Sequence, residues 1–239
     1  MRKYLFIAYP VGLYLIFGLP VLLLSAILYS GGIDLLTANS VGAMGITLLH
    51  MRRKRRKMTT LPAMPWKRMF LLTGIMMIPV VSFTAVLTGK AFLQIPLTPW
   101  LINCTWSFFW VACCEELLFR EFLITRMQEA RIPAWVILIL PAVMFSLCHR
   151  PESLSLLLQR FVLGTCFGFL YLKKRDIALC MATHWVYNMI LYTFQYSLPD
   201  VTALYSASRA ALNVLLCMLS LLGIVVAYSI KKSKFVGYS

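Results

Sequence analysis

The sequence predicts an all-α protein, a polytopic bundle of about eight transmembrane helices that forms one integral membrane domain over residues 1–239. Three observations favour this class. The chain is 61% hydrophobic with a mean hydropathy of +0.81, whereas soluble domains hold about 45–50% apolar residues. Its apolar residues form long runs separated by short polar segments. These runs lack the alternation of barrel strands, and backbone groups in lipid must be satisfied within a helix.

The apolar runs set the predicted helix positions. Gly31 and Gly32 mark a tight turn between the first two runs, and the basic run 52–57 separates the second from the third. Pro133 opens the fifth, where proline fits the first turn of a helix. The predicted spans cover residues 4–29, 33–50, 69–88, 99–124, 133–149, 154–172, 177–197 and 204–230.

The charge balance predicts a membrane location and an orientation. The formal net charge is +15, from 23 Lys and Arg against 8 Asp and Glu. The basic residues cluster in alternate loops, which is the pattern of the positive-inside rule. We therefore expect an integral protein of the plasma (inner) membrane with both termini cytoplasmic. The expected partner of the basic residues is membrane lipid and not nucleic acid.

The fourth span carries ionisable residues that are costly in lipid and are therefore functional candidates. Glu116 and Arg120 are spaced i, i+4, so we expect them to neutralise each other as a structural ion pair. Glu115 lies ~100° around the helix and faces a different neighbour. A structural ion pair with Arg120 needs only one glutamate, so the second carboxylate favours a functional role for Glu115.

Two further spans carry candidate residues. His149 ends the fifth span, and His184 with Asn188 shares one face of the seventh. A histidine at a helix end is often interfacial, and polar pairs within spans often bond neighbouring helices. A straight fifth helix over 133–149 also predicts His149 near the outer face, away from Glu115.

Together these residues fit water-activated peptide hydrolysis. Glu115 is the candidate general base, His149 the group that holds the water, and His184 with Asn188 the oxyanion donors. Glu115, His149 and His184 also form a plausible set for a divalent metal such as zinc. The chain has no HExxH helix to strengthen that reading, so we favour a reaction without a cofactor, and the metal alternative stays open.

The three candidate segments resemble the signatures of the CAAX protease and bacteriocin-processing family, also called CPBP or Abi. Here the signatures read Glu115-Glu116-x-x-x-Arg120, Phe145-x-x-x-His149 and His184-x-x-x-Asn188. The motif-bearing core covers about 99–197, and the N-terminal spans match only in number and hydrophobicity. The family includes the Ras-converting enzyme, which removes the last three residues of prenylated CAAX proteins, and bacterial members linked to peptide maturation and bacteriocin self-immunity.

The resemblance implies an intramembrane endopeptidase of the glutamic type with eight helices. By motif position, Glu115 is the base, His149 positions water, and His184 with Asn188 forms the oxyanion site. The implied substrate is a hydrophobic or lipidated peptide or protein. The alternative is a non-catalytic membrane immunity or scaffold protein of the same family.

Overall fold

The computed structural model describes residues 2–32, 34–54, 65–88, 95–149 and 154–197. These residues are helical throughout apart from short connections, and no strand occurs among them. A 3₁₀ segment, Arg2–Ala8, precedes the first of the seven helices in this part of the chain. The helices are α1 Tyr9–Ser30, α2 Leu35–Lys54, α3 Trp66–Thr88, α4 over 97–129, α5 Ala134–Cys148, α6 Leu154–Lys174 and α7 Ile177–Ser197.

The all-α class is therefore confirmed, and each of the first seven predicted spans coincides with one helix to within a few residues. The eighth predicted span, 204–230, lies outside the described residues. Within the described part, none of the helices is both long enough and apolar enough to cross a bilayer. The membrane location stays a prediction.

Acidic side chains cap the N-termini of two of the helices. The Asp34 side chain accepts a hydrogen bond from the backbone N–H of Thr37 at 2.7 Å, and the Asp176 side chain accepts one from Leu179 at 3.0 Å. Each carboxylate satisfies a first-turn N–H that has no partner inside its helix. Gly32 adopts φ +82° just before α2, which confirms the turn expected at the glycine pair.

Helix α4 is central to the bundle and is not a regular α-helix. Its side chains Leu118, Phe119, Leu123 and Ile124 are completely buried. Hydrogen bonds in a π-helix reach the fifth residue back and widen the helix, a geometry that is frequent at functional sites. The segments of α4 are α-helical over Leu97–Ile102, π-helical over Asn103–Ser107, α-helical over Phe108–Glu115, π-helical over Glu116–Ile124 and α-helical over Thr125–Glu129.

The other helices pack around α4. It contacts α2, α5 and α7, while α5 packs along α6 and α3 along α7. Helices α5 and α6 approach closely at Gly164, where an added Cβ would lie 3.0 Å from the Cα of Ala142. A glycine therefore favours this close approach, which brings α6 against α5, the helix whose C-cap residue is His149.

The expected separation of His149 from Glu115 is wrong. Helix α5 has only 15 residues and follows α4 through the short connection 130–133. Glu115 and His149 lie at nearly equal numbers of residues from that connection, so the two antiparallel helices bring them to the same level. Their side chains are 3.3 Å apart, measured from Glu115 Oε1 to His149 Nε2.

Candidate active site

Three helices bring one carboxylate and two imidazoles together. Glu115 of α4 lies between His149, at the end of α5, and His184 of α7. Its Oε1 is 3.3 Å from Nε2 of His149, and its Oε2 is 3.6 Å from Nε2 of His184. Glu115 and His184 are buried, whereas 27% of the His149 side chain is exposed. Among these three groups, His149 is therefore the most exposed.

The hydrogen bonds of His149 determine where its protons lie. Its Nδ1 is 2.7 Å from the carbonyl oxygen of Phe145. A carbonyl oxygen only accepts, so Nδ1 carries a hydrogen and donates it. The 3.3 Å contact between Nε2 and Glu115 needs a second hydrogen, because two bare lone pairs would repel. His149 and Glu115 therefore share one proton between Nε2 and Oε1.

His184 is held from its other ring nitrogen. Its Nδ1 is 2.8 Å from Oε1 of Glu116, and the same oxygen lies 3.1 Å from the guanidinium of Arg120. The Glu116 carboxylate forms an ion pair with the guanidinium and accepts a hydrogen bond from His184, so Nδ1 of His184 carries the hydrogen. This arrangement points Nε2 of His184 toward Glu115, whose buried Oε2 has no hydrogen bond.

The predicted ion pair of Glu116 and Arg120 is present, and both side chains are almost completely buried. The guanidinium also donates to the carbonyl oxygen of Gly164 at 3.4 Å and lies 4.5 Å from the centre of the Phe145 ring. The sequence predicted Arg120 as the partner of Glu116 but did not predict the hydrogen bond from His184. No spacing rule within one helix could have found it, because the two residues lie on different helices.

Aromatic rings enclose the two imidazoles. The ring of Phe167 is stacked on His184, with centroids 4.9 Å apart and planes at 21°. The ring of Phe145 lies 4.6 Å from His149 and 6.0 Å from His184. These buried rings limit the rotation of both imidazoles and exclude water from their inner side. Phe167 lies outside the three motifs, and nothing in its sequence context marks it as a site residue.

Asn188 is the one predicted site residue that the structure does not join to the others. It lies one turn along α7 from His184 and is partly buried. Among the described residues, no hydrogen bond or ion pair links Asn188 to Glu115, His149 or His184. Its oxyanion role stays a prediction.

One comparison with known proteins matches the segment that bears this site. Residues 97–190 match the family model described as Rce1-like, type II CAAX prenyl endopeptidase Rce1-like. The match contains all three motifs, helices α4 and α5, and the part of α7 that bears His184 and Asn188. Over this segment the chain is similar to CAAX-type proteases. The match supports the resemblance to the CAAX protease and bacteriocin-processing family over this segment. No curated protein and no solved structure matches the chain.

Proposed function

We propose that this protein is an intramembrane endopeptidase that hydrolyses a peptide bond of a hydrophobic or lipidated substrate by glutamate-activated water. One observation carries the proposal. The carboxylate of Glu115 lies between Nε2 of His149 and Nε2 of His184, at 3.3 and 3.6 Å. Both imidazoles are fixed by hydrogen bonds at their other nitrogens, so three groups are oriented toward one point.

In the proposed reaction Glu115 is ionised and the proton that it shares with His149 resides on Nε2 of the imidazole. A water molecule accepts a hydrogen bond from this N–H and donates to Glu115. The carboxylate takes a proton from the water as its oxygen attacks the peptide carbonyl carbon. The protonated Glu115 then gives that proton to the nitrogen as the C–N bond breaks, which leaves a carboxylic acid and an amine.

His184 is the proposed donor to the oxyanion that forms during the attack. This role needs an N–H at Nε2 in addition to the one that Nδ1 donates to Glu116, which is the doubly protonated form of the imidazole. A donor fixed before the reaction needs no reorganisation as charge develops, and such a donor contributes ~10²–10³ to the rate. Asn188, one turn further along α7, is the proposed second donor.

The membrane setting is part of the proposal and is supported by the surface. Large apolar side chains are exposed on several helices, including Ile16 at 68%, Leu71 at 62% and Trp135 at 71%. Exposed apolar area of this extent is typical of contact with lipid or partners. We propose an inner-membrane protein with both termini cytoplasmic, as the basic loops indicate. A lipid-facing protease suits a substrate that is itself hydrophobic or lipidated.

A divalent metal is an alternative way to activate the water. Glu115, His149 and His184 would hold it, and such an ion would lower the pKa of a bound water. Imidazoles that ligate metals are usually fixed at their other nitrogen, as both are here. However, the described residues contain no group of three or more His, Cys, Asp or Glu side chains arranged to hold a metal ion. The steps above are assigned to the side chains, and the metal mechanism stays an alternative.

The test uses purified protein and a fluorescence-quenched peptide that ends in a farnesylated cysteine, three apolar residues and a free carboxylate. We expect wild type to cleave it and Glu115→Gln to lose at least ~10²-fold in kcat, because the base is removed. Glu129→Gln is the matched control, since Glu129 is an exposed partner of Arg126 and should cleave like wild type. Equal cleavage by Glu115→Gln and wild type would contradict the assigned base.

Two further arms separate the alternatives. Activity that is lost with a chelator and restored by zinc would favour the metal mechanism over the glutamate mechanism. Binding of the peptide without cleavage by wild type would favour the non-catalytic immunity or scaffold protein. The same peptide without the farnesyl group shows whether lipidation of the substrate is required.

A further inference from the structure

Helix α6 contributes no residue to the three motifs, yet it carries a cation beside the candidate site. Arg160 is the only charged residue between 154 and 172, in a helix that is otherwise mostly apolar. A cation in an apolar bundle is costly and is usually retained for a purpose. Its guanidinium NH1 donates a hydrogen bond to the backbone carbonyl oxygen of His149 at 3.3 Å.

This hydrogen bond is made at a helix end, where it has a structural consequence. Helix α5 ends at Cys148, and His149 is its C-cap residue with φ −80° and ψ −3°. The last carbonyl groups of a helix have no donor inside the helix. Arg160 supplies a donor from α6 to the terminal one. Near this point Ser146 Oγ donates to the carbonyl oxygen of Leu157 at 2.6 Å.

The backbone of His149 in turn fixes its imidazole. The ring is tied to its own helix by the bond from Nδ1 to the carbonyl of Phe145, so ring and backbone of this turn move together. A shift of the helix end would therefore carry Nε2 away from Glu115. The hydrogen bonds of Arg160 and Ser146 join this helix end to α6.

From this geometry we propose that Arg160 is a positioning residue that holds His149 over Glu115. The inference rests on the proposed function, because it assigns Arg160 an effect on the reaction through His149. Arg160 itself touches neither the water nor the peptide bond in this proposal. A displacement of about 1 Å at a reacting group is enough to cost ~10²-fold in rate.

The test compares Arg160→Met, Arg160→Lys and wild type on the farnesylated peptide. We expect Arg160→Met to lower kcat by roughly 10- to 100-fold with little change in KM, because the misplaced group acts in the reaction step. Arg160→Lys should recover part of kcat, since an ammonium group still donates one hydrogen bond. Arg126→Gln removes the same charge from an exposed ion pair and should leave kcat unchanged.

A second readout does not depend on catalysis. Diethyl pyrocarbonate modifies accessible imidazole nitrogens, and mass spectrometry measures the rate at His149 in folded protein. We expect a several-fold change in this rate in Arg160→Met and none in Arg126→Gln. If Arg160→Met does not fold, the modification rate of His149 is compared between Arg160→Lys and wild type. We expect Arg160→Lys to melt near the wild-type temperature.

The outcomes separate this proposal from the proposed function. Wild-type kcat and an unchanged His149 modification rate in Arg160→Met, with Glu115→Gln inactive, would overturn the positioning role alone. A rise in KM with unchanged kcat would also overturn it, because Arg160 would then act in substrate binding. If no variant or wild type cleaves the peptide, the proposed function fails, and the modification rate still decides the position of His149.

Discussion

Glu116 joins two contacts that belong to different helices. Its Oε1 accepts from His184 of α7 at 2.8 Å and pairs with Arg120 of α4 at 3.1 Å. The carboxylate therefore compensates a buried guanidinium and orients a candidate catalytic imidazole at the same time. Removal of the Glu116 carboxylate should therefore affect both the stability of the protein and its activity. The two effects should be separable by experiment.

Glu116→Gln should lower stability and activity together. It leaves the charge of Arg120 buried without compensation, a defect that costs about 3–5 kcal/mol, and it replaces the carboxylate that accepts from Nδ1 of His184 with a neutral amide. The measurements are the thermal midpoint in detergent and kcat on the farnesylated peptide. The double change Glu116→Leu with Arg120→Met should recover most of the stability, because an apolar pair can replace a buried ion pair, but not kcat. Recovery of both would show that His184 does not need Glu116.

The residues of the site differ in how well the sequence could predict them. Glu115, His149 and His184 could be singled out as candidates because ionisable groups in apolar runs are conspicuous and because their spacings resemble known motifs, and the structure brings the three together. The contact of Phe167 with His184 and the proposed role of Arg160 were not predicted. Both depend on contacts between helices, where the partner is set by the rotation and register of each helix, and a single sequence does not specify either.

At the scale of the helix, a buried amide joins α4 to two neighbours. The side-chain nitrogen of Asn103 donates to Asp34 at 3.0 Å and to Tyr192 at 2.6 Å. Its oxygen accepts from Ser107 at 2.9 Å and from Thr37 at 3.2 Å. All four hydrogen-bonding positions of the amide are used. Asn103 is the first residue of the first π-helical segment, and its side-chain amide links α4 to α2 and α7.

Asn103→Leu should therefore destabilise the bundle without acting on the chemistry. The change leaves buried partners unsatisfied, each costing about 1–3 kcal/mol, whereas Asn103 lies ~18 Å along α4 from Glu115 at 1.5 Å per residue. We expect a lower thermal midpoint, with kcat per folded molecule unchanged. Thr105→Ala is the control, because Thr105 is exposed and bonds only its own helix at Leu101. A wild-type midpoint in Asn103→Leu would contradict a structural role for the amide.

The helices themselves were predictable, whereas the internal geometry of α4 was not. Long apolar runs bounded by glycine, proline and charge give the position of a helix because its length and composition are local properties. The change from α-helix to π-helix at Glu116 has no compositional signal, since it depends on how the helix meets its neighbours. The π-helical segment begins at Glu116, directly after Glu115. It therefore changes the angle between the two glutamate side chains, which a regular α-helix would fix at ~100°.

For the whole molecule, the decisive question is whether the bundle resides in a bilayer with the predicted orientation. The exposed apolar residues of α1 and α3 suit lipid, and the run Arg52-Arg53-Lys54-Arg55-Arg56-Lys57 suits the cytoplasmic side. The proposed protein should therefore remain with membranes after extraction at high pH, because burial of apolar surface in lipid does not depend on ionic contacts.

Trypsin tests the orientation directly, because six consecutive basic residues at 52–57 form a dense set of cleavage sites. In sealed inside-out vesicles the cytoplasmic face is exposed, so trypsin should cut this run and leave fragments that begin near α3. In sealed right-side-out vesicles the same run should be protected until detergent is added. Replacing all six residues with Gln is the control, since it removes the sites and should abolish this cut in both preparations. Cleavage only in right-side-out vesicles would invert the proposed topology. Release of the intact chain at high pH would show that the protein does not reside in the bilayer, and the Glu115 site would then be tested in solution.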